Sequence, residues 1–297
     1  MIFESQILVK HLFHGLISYK KYIKNNSLHK LVGIKLNSLA NIRVKKIKPL
    51  YYSVNPNIKE AFAAELDDLT RLHYLIISRK VTTILEFGIG KSTLIFNDAL
   101  IKNKKKYKEF VGENLRRSNS FECHSVDNHH KWIKKVRLNN NLKNVNYYHT
   151  QLKMGTFNGR ACTFYKNIPN VCPDFIYLDG PDQFSAKGFV NGISTNHPDR
   201  LPMAGDILVL EHFFLPGTLL VVDGRTANAR FLKTNLQRDW IYCYDKNADQ
   251  HYFELSEDPV GVYNKKQINF CLGISFYDRL KKKYRVIINL KNKSKKF

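Results

Sequence analysis

The stretch "TILEFGIGKSTLIF", Thr83 to Phe96, carries two incompatible signatures. Its second half, Gly90-Lys91-Ser92-Thr93, ends like a nucleoside-triphosphate P-loop. Its first half, Glu86-Phe87-Gly88-Ile89-Gly90, reads as an apolar strand running into a glycine turn. A P-loop needs G-x-x-x-x-G-K-[ST], a loop long enough for its amides to wrap a phosphate. Counting back from Gly90 places Leu85 where the first glycine should stand, inside the strand. The dinucleotide fingerprint G-x-G-x-x-G matches at Gly88 and Gly90, but Thr93 occupies its third glycine position. What remains is an acid two residues ahead of a G-x-G turn.

Outward from this turn the chain alternates. "TTILEF" reads as a strand and "KSTLIFNDALIKN" as a helix; "FECHSVD" as a strand and "HKWIKKVRLNN" as a helix. "NVNYYHTQ", "DFIYLDG" and "TLLVVDG" are further strands, with "GDILVLEHFF" helical between the last two. After the helix "ANARFLKTNLQ" come the strands "WIYCYD" and "HYFELS". Strands alternating with helices of this length predict a doubly wound, mostly parallel sheet. The stretch "KNADQ" between the last two strands is too short for a parallel crossover, so they pair antiparallel. The fold class is therefore α/β, a seven-stranded sheet with a C-terminal antiparallel hairpin and a helical N-terminal extension. Ahead of the first strand, Phe62, Leu66, Leu69, Leu72 and Ile76 fall at helical spacing, with Asn57 and Glu60 as an N-cap pair.

"LEFGIGKST" resembles the first motif of the class I S-adenosylmethionine-dependent methyltransferases, an acid followed by x-Gly-x-Gly and a small residue, here Ser92. That family orders its sheet in the same way. Three more motifs fall at matching places: Asp127 ending the second strand, "DFIYLDGPDQF" with Asp179 at the strand end, and "FLPGTLLVVDG", with Thr218 for the second glycine of the family's turn. The resemblance spans about residues 57–255 and implies S-adenosyl-L-methionine as cofactor. It assigns Glu86, Gly88, Gly90, Ser92, Asp127 and Asp179 to cofactor binding, with Asp127 taking the ribose hydroxyls. The competing role for Asp127 is a helix N-cap before "HKWIKKV". Asp127 lies 37 residues after Gly90, where roughly 20 is usual. A polar surface loop over "KNKKKYKEFVGENLRRSNS" accounts for the surplus. No acid occurs between Asp127 and Asp174, which leaves Thr150, Gln151 or backbone groups for the adenine.

An oxygen acceptor needs its proton removed as the methyl group is transferred. Asp179 is the first candidate and Asp223, ending the next strand, the second, because carboxyl ends of parallel strands face the crevice. The resemblance leaves Mg²⁺ open at these two acids, although Gly224 and Arg225 follow Asp223 and a third ligand is missing; no residue is assigned to a metal. His197 and His212 are further acid–base candidates. The loop 183–205, with Arg225 and Arg230, is placed beside the acceptor. The resemblance implies a small-molecule, sugar or glycan oxygen as acceptor, since the Asn-Pro-Pro-Tyr signature of nucleic-acid base methylation in such enzymes is absent and "DGPD" stands instead.

The net charge of +23 is uneven. Lysines gather in "RVKKIK" (43–48), "KNKKKYK" (102–108) and the acid-free tail "KKKYRVIINLKNKSKKF" (281–297). This makes nucleic-acid binding through the tail, or an RNA methyltransferase, the alternative function. The expected divisions are a basic helical extension over 1–55, the methyltransferase domain over 56–265 and a basic tail over 266–297. Neither a transmembrane span nor a secretory leader is legible. Cys123, Cys162, Cys172, Cys243 and Cys271 form no paired spacing, which suggests reduced thiols and a cytoplasmic setting.

Overall fold

The computed structural model describes residues 16–36, 64–246 and 248–282. The Asn57–Glu60 cap, Phe62, the 43–48 cluster and the tail from 283 onwards lie outside the described residues. In chain order the elements begin with α1 (Leu16–Asn26), α2 (Leu28–Leu31) and α3 (Leu66–Ser78). There follow β1 (Thr83–Phe87), α4 (Lys91–Asn114), β2 (Glu122–Asp127), α5 (His130–Asn139) and β3 (Val145–His149). A hairpin comes next, β4 (Leu152–Phe157) and β5 (Arg160–Tyr165), then β6 (Phe175–Leu178), α6 (Asp206–Leu210) and β7 (Leu219–Asp223). The chain closes with α7 (Thr226–Asn235), β8 (Trp240–Asp245), β9 (Gln250–Leu255) and α8 (Gly261–Cys271).

The sheet order is β3-β2-β1-β6-β7-β9-β8. Pairing is parallel from β3 through β7, while β9 runs antiparallel to both β7 and β8. All five residues of β1 are buried, as a strand covered on both faces requires. Alternation along the strands divides the core into two layers. Ile84, Phe175, Tyr177, Leu219 and Val221 face Leu72 and Ile76 of α3 and Phe96 and Leu100 of α4, with Ile23 and Leu28 of the N-terminal helices behind them. Leu85, Phe87, Ile176, Leu178, Leu220 and Val222 face the other way, onto Ile207 of α6, Leu232 of α7 and Leu152 and Tyr165 of the hairpin.

Three features depart from the sequence reading. The lysine-rich stretch 102–108 is not a surface loop: α4 runs on to Asn114, so a longer helix carries the surplus residues before Asp127. Lys and Glu are good helix formers, and Val111 anchors this extension beside Leu115, Phe121 and Phe270. The β4–β5 hairpin, a separate two-stranded sheet, was not expected. Neither was α8, which spans the boundary drawn at 265/266 and packs Phe270 onto α4. The segment after α8 also returns to the sheet, where Arg279 meets Glu254 of β9. Among the described residues no helix is long and apolar enough to cross a membrane, and all five cysteines are free.

The connection from β1 leads outward to β2 and β3, then returns to β6 on the other side of β1. The order reverses between β1 and β6, and at such a switch point an open α/β sheet leaves a crevice beyond its carboxyl ends.

Candidate active site

Two glycines form the floor of that crevice. Gly88 follows β1 with φ +98°, and Gly180 follows β6. They touch backbone to backbone: a Cβ on Gly88 would lie 2.8 Å from Gly180 N, and one on Gly180 would lie 2.9 Å from Gly88 N. No side chain fits at either position, and at Gly88 the positive φ adds backbone strain.

The amides of the glycine turn decide between the two signatures. Gly88 N donates to Val126 O at 2.9 Å, Ile89 N to Asp127 Oδ2 at 2.9 Å, and Gly90 N to Thr93 Oγ1 at 3.1 Å. A phosphate cradle needs these donors turned toward the ligand. Here the protein itself satisfies all three. The turn is closed on its own fold, and it offers a close backbone approach rather than an anion nest.

Glu86 locks it from below. Fully buried, it accepts from Ser92 Oγ at 2.6 Å and Thr93 Oγ1 at 2.8 Å, and also from the Ser125 hydroxyl of β2. Burial pushes its carboxyl up to about 7, with the three hydroxyls opposing the shift. Glu86 and Ser92 thus shape the loop from within. A raised acid binds its proton more tightly when folded, so its stabilisation is present at low pH and fades as pH rises from its usual 4.5 toward about 7. Relative to Glu86→Gln, the wild-type chain should lose about 3 kcal/mol of stability across that window, at 1.36 kcal/mol per pH unit. Urea unfolding of both proteins at pH 5 and pH 7.5 checks this; a pH-independent difference refutes it.

Asp127 ends β2 almost buried, and both its oxygens are engaged by backbone: Oδ2 by Ile89 N, Oδ1 by His129 N at 2.7 Å. It pins the two loops together without being the residue that caps α5, where His129 takes the cap position. Each carboxylate oxygen retains a second acceptor site. Thr150 is less available, since its hydroxyl accepts from Asn167 N and its amide donates to Asp127 O. Gln151 is exposed beside it.

Asp179 lies in the open, its side chain 48% accessible. Arg225 leans across it, Nε at 3.5 Å from Oδ1, while Nη1 donates to Pro181 O at 2.8 Å and Nη2 to the Asp179 carbonyl. Desolvation by the crevice walls raises the Asp179 carboxyl; Arg225 pulls it back and Asp223 pushes it further up. Asp223 is more confined, accepting from Tyr177 OH at 2.7 Å and Gln250 Nε2 at 3.1 Å. This pair does not fit a divalent cation: Asp223 is held by two protein donors and the group beside Asp179 is a guanidinium. The one trio of clustered ligand atoms among the described residues is Glu65, Asp67 and Asp68, where Arg71 pairs with both aspartates.

The two histidine candidates fall outside this centre. His212 sits on the short 3-10 turn whose Glu211 binds Gln237 N, Arg238 N and Trp240 Nε1 at the start of β8, the amino end of the strands. His197 is exposed in the 183–205 loop. That loop is tied to the hairpin through Met154 N to Lys187 O and Thr163 N to Met203 O, at 2.8 and 2.7 Å. Arg230 is exposed on α7. A histidine not singled out in the sequence does enter the centre: His129 Nε2 meets Asp182 Oδ2 at 2.6 Å, with Ser185 Oγ at 3.0 Å. This bridge joins the loops after β2 and β6 across the end of β1. Asp182 holds His129 above its usual range against the opposing effect of burial.

No protein-family model matches the chain, and no curated protein sequence does. Among solved structures it is similar to a Klebsiella pneumoniae protein provisionally described as an O-methyltransferase, at 12% identity and TM-score 0.37, covering 83% of this chain and 93% of the other. It is also similar to the plantazolicin methyltransferase BamL, solved with a triazolic desmethyl analogue and S-adenosylhomocysteine, at 9% identity and TM-score 0.24, covering 88% and 73%. The strand order, read directly, is the one expected from the sequence, a mostly parallel seven-stranded sheet closed by an antiparallel C-terminal hairpin.

Proposed function

We propose that the chain is an S-adenosylmethionine-dependent methyltransferase acting on an oxygen of a small molecule, sugar or glycan. One observation carries the reading. In a chain of net charge +23, the carboxyl edge at the switch point gathers Asp127, Asp179, Asp182 and Asp223, while the three turn amides face inward. Such an edge repels phosphates and attracts a cation, and the cofactor carries a sulfonium and an ammonium but no phosphate.

When bound, S-adenosylmethionine supplies an activated methyl group. The chain's own residues do the rest. Asp127 takes the ribose hydroxyls on its free acceptor sites, and Gly88 with Gly180 lets the backbone come close. Asp179, solvent-facing beside Arg225, accepts the proton of the acceptor hydroxyl. Arg225 steadies Asp179 and offers a donor to the acceptor. Excluding water and aligning the reactants supply the remaining advantage.

Calorimetric titration of the whole protein with S-adenosylhomocysteine should show micromolar binding. In a thermal-shift comparison the same ligand should raise Tm while ATP with Mg²⁺, or NAD, should not. Stabilisation by ATP or NAD alone would sink the proposal.

A further inference from the structure

We infer that Tyr165, contributed by the β4–β5 hairpin, is a binding residue for the amino-acid portion of the cofactor, its hydroxyl meeting that portion beside Gly88 and Gly180. The inference rests on the reading above and names a contact that the glycine and aspartate motifs do not contain.

The argument begins with an unmet hydrogen bond. Tyr165 is 5% exposed and its hydroxyl is buried without a hydrogen-bond partner. Buried polar groups are nearly always paired, and one left open in a native fold calls for a reason. Its position supplies one. The ring stacks on Phe87, the last residue of β1, at 5.7 Å between centroids. The hydroxyl lies 3.0 Å from where a Cβ on Gly180 would stand, within electrostatic reach of Asp127, Asp182 and Arg225. It belongs to the same junction as the two glycines.

The ligand's covalent order then selects which part arrives there. Adenine, ribose, sulfonium and amino acid follow one another along the molecule. With the ribose on Asp127 after β2 and the adenine toward Thr150 after β3, the amino-acid end runs the opposite way, across β1 toward β6. That path ends over Gly88 and Gly180. Burial, and the neighbouring carboxylates Asp127, Asp206 and Asp182, keep the phenol neutral and protonated, so it can both donate and accept there. The bridges His129–Asp182 and Arg225–Pro181 span this part of the crevice.

Tyr165→Phe tests this directly, since it deletes one oxygen and keeps the ring. Titration with S-adenosylhomocysteine should show affinity lowered about tenfold, the loss of one hydrogen bond to a charged group. Titration with 5′-methylthioadenosine, which lacks the amino-acid portion, should change less than about twofold. The ligand-free variant should melt no lower than wild type, because an unpaired buried hydroxyl has been removed. Unchanged affinity for S-adenosylhomocysteine overturns the inference. So does an equal loss for both ligands with a lowered Tm, which marks Tyr165 as structural, its hydroxyl held by internal water. Failure of the wild-type protein to bind S-adenosylhomocysteine overturns the underlying function and this contact with it.

Discussion

Replacing Glu254 by alanine should lower the free energy of unfolding by about 3–5 kcal/mol, the cost of breaking a buried ion pair from one side. Glu254 sits on β9 with no solvent exposure. Arg79 Nη1 reaches Oε2 at 2.8 Å, and Arg279 approaches both oxygens at 2.9 and 3.0 Å. Burial alone would raise the carboxyl, but the two guanidiniums outweigh it and hold Glu254 below its usual range. The contrast with Glu86 is instructive, because that equally buried acid has only hydroxyl donors and moves the other way. Since the folded pKa is depressed, the stabilisation is complete above the ordinary glutamate range and fades as pH falls through the folded value. Alanine leaves Arg79 and Arg279 buried without their counter-charge, so the deficit should be largest at neutral pH and shrink in acid. Urea unfolding at pH 7 and pH 4 measures both statements. A deficit below about 1 kcal/mol at pH 7, the size of an exposed pair, would show that water reaches these arginines.

That cluster also shows why part of the fold was hidden in the sequence. β1, β6 and β7 were legible because each is an apolar, β-branched or aromatic run ending on an acid or a glycine, and β2 because it precedes a helical pattern and ends on Asp127. Arg279, in contrast, stood in a stretch read as a basic tail, and nothing local says that its partner is Glu254, 25 residues earlier. The lysine-rich second half of α4 was hidden by its charge, which masks helix-forming residues anchored sparsely, by Tyr107, Phe110 and Val111. The hairpin was a missed signal. "FNGR" holds Asn158-Gly159, both at positive φ, the pair that a two-residue hairpin turn favours. Thr156 stands where the alternation of Leu152 and Met154 calls for an apolar residue, and Gly155 weakens the strand signal beside it.

The site divides in the same way. Glu86, Gly88, Gly90 and Asp127 were readable because they belong to one strand–turn–helix unit and to the end of its neighbour. What they do was less readable. Glu86 and Ser92 bond to each other, and the Lys91-Ser92-Thr93 run that suggested phosphate supplies two hydroxyls to a buried acid instead. His129, Asp182 and Tyr165 come from three separate connections, and only the folded sheet brings them to one place.

Asp127→Ala should reduce S-adenosylhomocysteine affinity at least about 100-fold, a loss near 2.7 kcal/mol. Two effects combine. The variant removes the acceptor for both ribose hydroxyls, and hydrogen bonds to a charged group contribute about 1.5–3 kcal/mol. It also frees Ile89 N and His129 N, which the carboxylate now holds at 2.9 and 2.7 Å, so the glycine turn loses its tie to the loop after β2. Stability should fall too, by about 1–3 kcal/mol for buried donors left without a partner. The two effects are separable with a ligand that cannot use the carboxylate. An S-adenosylhomocysteine analogue lacking both ribose hydroxyls should bind the wild-type and variant proteins within about threefold of each other, if Asp127 acts mainly on the ribose. If the analogue shows the same 100-fold loss, Asp127 serves to hold the turn in place. An unchanged affinity for S-adenosylhomocysteine itself, in a variant shown to be folded by its cooperative melt, would remove Asp127 from the binding site altogether. The motif would then be a strand end and a loop pin, and the acidic crevice would need a different ligand.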